Sequence, residues 1–314
     1  MPTGLFRFVF RRLLLALPVL IGVTLVTFIL MYVVPGDPVA ALVDEKMAST
    51  DPTAARLFRE KWGLDDPVPL QYLKFVWNAA QGDLGLSYRS EQPVLESILE
   101  RLPATAKLAA ASLGVAILIG IPLGIFAALR QNTLLDSAAI SLATFGVSIP
   151  NFWLGLLLIY VMAVQWRWLP PSGYGPAVPY LIMPAITLGT GLSAVIARLT
   201  RSSMLEVIRQ DYVRTARAKG LAERRVILIH ALRNAAIPIV TIVGVQISGL
   251  LSGAVITERV FSWPGVGRLL VDSIGARDLP IVQGCVLFIA TIFIALNLIV
   301  DLSYAWLDPR IRYE

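Results

Sequence analysis

Charge is what this sequence has little of. Asp, Glu, Lys and Arg make up 15% of its 314 residues, where a soluble domain usually carries about a quarter. The shortage is concentrated in six stretches with no charged residue at all: Leu13–Gly36, Leu108–Leu129, Ser137–Trp166, Trp168–Ala197, Asn234–Thr257 and Leu279–Val300. They span 24, 22, 30, 30, 24 and 22 residues. Roughly 20 apolar residues, rising about 1.5 Å each, cross the hydrocarbon core of a bilayer. Soluble, disordered and nucleic-acid-binding readings are therefore excluded, despite a net charge of +6 and a pI near 9.6. The expected fold class is all-α: a polytopic membrane protein with six transmembrane helices.

Cysteine and histidine are nearly missing too. Cys285 is the sole cysteine and lies in the last apolar run, so no intrachain disulfide can form. His230 is the sole histidine, which with one cysteine excludes a structural zinc site. There is no GxxxxGK[ST] phosphate loop, no HExxH, and no nucleophile–base constellation inside the apolar runs. No catalytic, metal or cofactor site is expected in the chain. Within the six runs there is also no Asp, Glu, Lys, Arg or His, the groups that carry coupling charge in ion-driven transporters. The polar groups left at membrane depth are neutral. Among them Asn151, Gln246 and Asn297 are candidates to line a passage, although bonding one helix to another is the commoner role for such amides.

Basic residues orient the spans. With the N-terminus inside, 15 of the 27 Lys and Arg fall in inner segments, against seven of the 21 acidic residues. That bias matches the positive-inside rule and puts both termini in the cytoplasm. The apolar stretch after Arg7, Arg11 and Arg12 is longer than a signal-peptide core, so it reads as an uncleaved first helix. The expected organisation is 1–34 for the N-terminal tail and first span, 35–107 for an extracytoplasmic helical segment, 108–308 for the core with an inner loop at about 201–235, and 309–314 for a cytoplasmic tail. In 35–107, apolar spacing predicts helices over Thr53–Trp62, Val68–Ala80 and Pro93–Leu102, forming a cap on the membrane surface. The six spans are predicted at Val9–Met31, Thr105–Leu129, Asp136–Val164 (interrupted by Pro150), Leu181–Arg201, Ala236–Thr257 and Pro280–Tyr304. The outside loop Glu258–Arg268 is half apolar and is expected to tuck back.

The inner loop carries the most information. In Asp211–Arg225, Asp211 reads as an N-cap, helix formers follow, and Gly220 fits the position just past a helix end. A second helix is expected over Ala222–Ala235. Ala216 and Gly220 fall four apart, which predicts a nearly bare face that another protein could approach. Topology enforcement and lipid contact explain the arginines, but not the helix–Gly–helix order.

These residues resemble the EAA-x3-G loop of bacterial ABC importer permeases, with Arg214-Thr215-Ala216 and Gly220 at the family's spacing. Arg214 departs from the general Glu, and Leu232-Arg233 from Leu-Pro, as in the peptide-importer branch. The likeness extends over Pro35-Gly36-Asp37-Pro38, Asn151-Phe152-Trp153-Leu154-Gly155, Leu169–Gly175, Ala197–Met204, Val260–Gly265 and Asp308-Pro309-Arg310. Nearly the whole chain is thus similar to the first-type permease of the dipeptide/oligopeptide/nickel importer family.

The resemblance implies an inner-membrane transport subunit of a prokaryote that is not an enzyme. ATP and Mg would sit on two separate ATPase subunits, a second homologous permease would complete the passage, and an extracytoplasmic binding protein would deliver the cargo. It implies that Asp211, Tyr212, Arg214, Ala216, Arg217, Lys219 and Gly220 dock an ATPase subunit. Peptides are the expected cargo. Nickel or another small solute is the alternative within the family, and an ATP-independent secondary transporter the alternative outside it.

Overall fold

The computed structural model describes residues 2–33 and 52–307. The motifs at 35–38 and 308–310 and the tail at 309–314 lie outside the described residues. Every regular element among the described residues is a helix, apart from one isolated bridge between Leu86 and Pro93. In chain order they are α1 (Pro2–Val33), α2 (Pro52–Trp62), α3 (Val68–Ala80), α4 (Val94–Leu99), α5 (Leu102–Leu129), α6 (Leu134–Ser148), α7 (Asn151–Leu158), α8 (Pro179–Ile208), α9 (Asp211–Ala218), α10 (Glu223–Arg225), α11 (Leu232–Val260), α12 (Val266–Gly275) and α13 (Leu279–Leu307). Five helical stretches are long and apolar enough to span a membrane, and α6 with α7 makes a sixth if that bent pair counts as one span.

Pro150 does more than interrupt the third span. It lacks an N–H and forces the preceding residue out of the helical region; Ile149 accordingly sits at ψ 124°, and α6 and α7 meet at 98°. After α7 the helix widens into a π-helical turn over Ile159–Gln165. The inner loop also differs from expectation. Its second helix does not stop at Ala235: α10 runs through a π-helical turn, Val226–Ala231, straight into α11.

The described residues divide into two compact units, one formed by 2–33, 52–103 and Pro264–Ala295, the other by Ala104–Trp263 and 296–307. In the second, α8 is the hub, with more than half of its apolar stretch buried within the chain. Its buried face is built from small residues, including Gly189, Ser193, Ala194, Ala197 and Thr200. With no solvent to drive helices together in lipid, small side chains permit the close approach that dispersion needs. α5 answers with Gly124, where a Cβ would lie 2.5 Å from the Ala197 carbonyl oxygen and 2.6 Å from Thr200 Cβ. Only glycine fits there. Arg201, one residue farther along α8, grips Asp136 in the first turn of α6 through two hydrogen bonds of 2.6 Å. The sequence contains both residues but not their pairing.

In the first unit, α3 lies against α1, where Tyr72 Oη and Thr24 Oγ1 are 3.0 Å apart and the Tyr72 and Phe28 rings are 5.4 Å apart. Asp278, just before α13 and only 3% exposed, accepts hydrogen bonds from Ser87 Oγ and the Tyr88 backbone N–H. That carboxylate fixes the loop leading into α4. Val94 and Ile98 of α4 then pack against Val266, Ile281 and Cys285.

Candidate coupling interface

The α9 segment is short because its sequence can start a helix but not continue one. Gln210 is extended (ψ 149°) and serves as the N-cap, so Asp211 is the first helical residue rather than the cap. Its carboxylate still lies at the helix N-terminus, where the macrodipole favours negative charge. At the other end Lys219 donates its N–H to Thr215 O at 3.0 Å and Gly220 donates to Arg217 O at 2.9 Å. Gly220 sits at φ +73°, the left-handed region that ends helices and that favours glycine. No heavy atom lies within 4 Å of the position a Cβ would take there, so the requirement is conformational and not steric.

Which face α9 turns outward corrects the reading of Ala216. It is 6% exposed, and with the fully buried Val213 it packs against Val226, Val207 and Leu221. These two apolar side chains are what anchor an eight-residue helix too short to persist alone. A bare Ala216–Gly220 face is therefore not presented. The exposed surface is made by Asp211, Tyr212, Arg214, Thr215, Arg217, Ala218 and Lys219. Tyr212 is its large side chain, 42% exposed.

The basic residues are partly engaged already. Arg217 donates to both Glu223 oxygens, at 2.7 Å from Nη2 to Oε1 and 3.1 Å from Nε to Oε2, a bond that spans the Gly220 corner. That hydrogen bond to Glu223 holds the Arg217 guanidinium above its ordinary value, and neither changes protonation near neutral pH. Arg214 reaches Asp211 Oδ1 at 3.3 Å. Lys219 has no side-chain partner among the described residues. Behind α9, the π-helical turn packs Ile227 and Ala231 against Met204 and Ala128, joining the loop to α8 and α5.

The three amides proposed for a passage are each partly exposed. Asn151 opens α7 directly after the Pro150 bend, with its Oδ1 3.9 Å from where a Cβ on Gly191 of α8 would stand. Gln246 lies on α11 and Asn297 on α13. No hydrogen bond joins Asn151 to Gln246 among the described residues. Nor does either Asn151 or Gln246 use its side-chain amide to bond another helix among those residues.

Sequence reasoning missed Glu258. Ending the fifth span at the first charge put Glu258 in an outside loop, yet α11 runs on to Val260 and Glu258 is completely buried. Its Oε1 accepts from Thr105 Oγ1 at 2.6 Å. Beside it, Trp263 Nε1 donates to Ala104 O at 2.9 Å, and its ring meets Tyr174 edge-on at 4.8 Å. Gly173 N–H donates to Phe261 O at 2.8 Å. The aromatic turn 169–175 thus closes onto 258–263, and the expected tucking of that loop is observed. A neighbouring threonine on another span was the signal that could have drawn Glu258 inward, but it is a long-range one.

Residues 120–313 match the family described as "Binding-protein-dependent transport system inner membrane component", and residues 5–109 match "Binding-prot-dependent transport system membrane comp, N-term". Among curated relatives, the dipeptide transport system permease protein DppB of Escherichia coli (strain K12) is 44% identical, with 98% of this chain and 99% of that one covered. The oligopeptide transport system permease protein AppB of Bacillus subtilis (strain 168) is 42% identical over 98% of this chain and 99% of that one. The glutathione transport system permease protein GsiC of Escherichia coli O6:H1 is also 42% identical, over 98% and 99%. Among solved structures, an inward-facing MetNI methionine ABC transporter chain has a similar fold. It superposes with a TM-score of 0.56 at 17% identity, covering 68% of this chain and 96% of that one. On these matches, which run through nearly all of its length, the chain belongs to the family of binding-protein-dependent transport system inner membrane components, as a multi-pass permease.

Proposed function

We propose that this permease carries di- or oligopeptides across the cytoplasmic membrane in an ABC importer. Cargo comes from an extracytoplasmic binding protein, a second permease completes the passage, and two ATPase subunits supply the energy by binding and hydrolysing ATP with Mg. The observation that carries the mechanical part is α9: a helix pinned from behind by Val213 and Ala216 while its front stays exposed. A short rigid element with its apolar side spent inside its own chain is suited to transmit motion. When an ATPase pair closes, α9 moves with it, and the continuous α10–π-turn–α11 helix carries that displacement into the membrane. The two permease states are then populated according to which one the ATP-bound pair grips more tightly.

Peptide cargo is supported by relatives named for dipeptides, oligopeptides and glutathione. A passage lined by neutral amides rather than fixed charges suits cargo of varied side chains, because no like charge repels any of them. Both termini face the cytoplasm in this reading, and the positive-inside bias supports it. Uptake of a radiolabelled dipeptide into cells lacking the gene, restored by the gene alone, tests the cargo assignment. Restoration of nickel uptake without peptide uptake would replace it. For orientation, a membrane-impermeant thiol reagent should label a cysteine at Ser90 and spare one at Ser202 in a Cys285→Ser background. The reverse would invert the topology.

A further inference from the structure

A cavity of about 550 Å³ opens in the first unit between α1, the α2–α3 segment, the loop at 83–88 and the start of α13. That is a size typical of small-molecule sites, and its lining mixes aromatic walls with charges. Trp62 and Phe75 form part of the wall, and the Trp62 and Tyr88 rings meet at a tilt of 57° with centroids 4.9 Å apart.

The lining charges divide into those already matched and those left over. Lys61 pairs with Glu91 at 2.8 Å, and Lys74 pairs with Asp66. Among the described residues Asp83 Oδ1 accepts only the Gly85 N–H, at 2.8 Å. The Glu60 carboxylate has no hydrogen bond or ion pair among the described residues. Two carboxylates are thus short of positive partners.

The buried donors point the other way. Gln283, on the first turns of α13, is 3% exposed and lines the cavity, yet its Nε2 has no hydrogen-bond partner among the described residues. A buried amide N–H without an acceptor is costly, so native structures rarely leave one empty. The Tyr88 hydroxyl makes no hydrogen bond among the described residues either. Burial pushes its pKa up, so it stays protonated and is a second donor.

We propose that this cavity binds a small zwitterion. Its primary ammonium rests against Glu60 and Asp83, on the side away from the Trp62 face that Lys61 Nζ already covers at 5.2 Å, and its anionic oxygen accepts from Gln283 Nε2 and the Tyr88 hydroxyl. A free peptide has that chemistry, and so does a phosphatidylethanolamine headgroup. The inference stands apart from the cargo assignment, because it concerns a pocket within one unit of the chain and not the passage.

The test uses the purified, delipidated importer complex with two probes: radiolabelled alanyl-alanine by equilibrium dialysis, and phosphatidylethanolamine by native mass spectrometry. At least one probe should bind wild type, and about five- to tenfold more weakly to Gln283→Leu and to Glu60→Gln, the factor for one hydrogen bond or charge contact. The ammonium-free counterparts, N-acetyl-alanyl-alanine and phosphatidylglycerol, should bind correspondingly less. The probe that responds identifies whether the zwitterion comes from solution or from the membrane. Gln283 is buried and its variant could misfold, but Glu60 is exposed on α2 and its variant keeps the test open. If neither probe binds, or if binding is the same in wild type and Glu60→Gln, the cavity holds water and the proposal is wrong.

Discussion

The seam between α5 and α8 and the corner after α9 both turn on a glycine, and they need it for opposite reasons. At Gly124 the backbone is ordinary helix and the neighbours are too close: a Cβ would stand 2.5 Å from a carbonyl oxygen of α8. At Gly220 the neighbours are absent and the backbone is special, at φ +73° with open space around it. The first glycine serves the packing of the chain with itself. The second keeps a corner sharp on a surface the chain does not cover. A region that is finished internally and a region that is left open thus use the same residue, and substitutions should tell them apart.

The largest effect is expected at the seam. Gly124→Val should push α5 and α8 apart and leave little folded permease, because rigid backbone and Thr200 both stand in the way. Overpacking of a tight core costs about 1–3 kcal/mol even for modest insertions. Fluorescence-detected size-exclusion of a tagged permease checks this, and a normal monodisperse yield would contradict the close approach.

Gly220→Val comes next and should behave differently. A left-handed backbone costs an ordinary L-residue roughly 1–2 kcal/mol, enough to reshape the corner while the spans fold normally. Membrane levels should stay near wild type while dipeptide uptake and co-purification of the ATPase fall sharply. Gly220→Asn sharpens the contrast, since asparagine tolerates that region. It should keep much of the uptake that valine loses. Equal loss for both would mean that side-chain volume, not φ, is what the corner forbids.

The smallest effect belongs to Arg217. Its bond to Glu223 is partly exposed, with side chains 38% and 55% accessible, and such pairs contribute about 0–1 kcal/mol. Arg217→Gln should lower uptake slightly, and the exchange Arg217→Glu with Glu223→Arg should restore it. A total loss that the exchange fails to rescue would show that Arg217 contacts a partner directly rather than bracing the corner.

Much of this was legible in the sequence, for identifiable reasons. Long charge-free runs announce spans because bilayer thickness sets their length, and periodic apolar spacing placed Val68–Ala80 where α3 is found. The order helix, glycine, helix at 211–225 reported the α9 corner because backbone chemistry is local. What stayed hidden was pairing across the fold. Nothing near Glu258 in sequence says that Thr105 will receive it, and nothing near Asp136 names Arg201. The inward turn of Ala216 was hidden for a related reason: small size suits a docking face and a tight contact equally, and only Val207, Leu221 and Val226 decide between them. Pro150 marked a break, but no residue near it in sequence specifies the 98° angle.

We propose that α9 meets an ATPase subunit with the face carrying Asp211, Tyr212 and Thr215. Site-directed cross-linking tests it most directly. In a Cys285→Ser background, single cysteines at Tyr212, Thr215 and Ala216 would be treated with a short bifunctional thiol reagent in the assembled importer. The structure predicts that positions 212 and 215 capture the ATPase subunit and that the buried position 216 does not. Capture from 216 alone, or from none of the three, would contradict docking through this face.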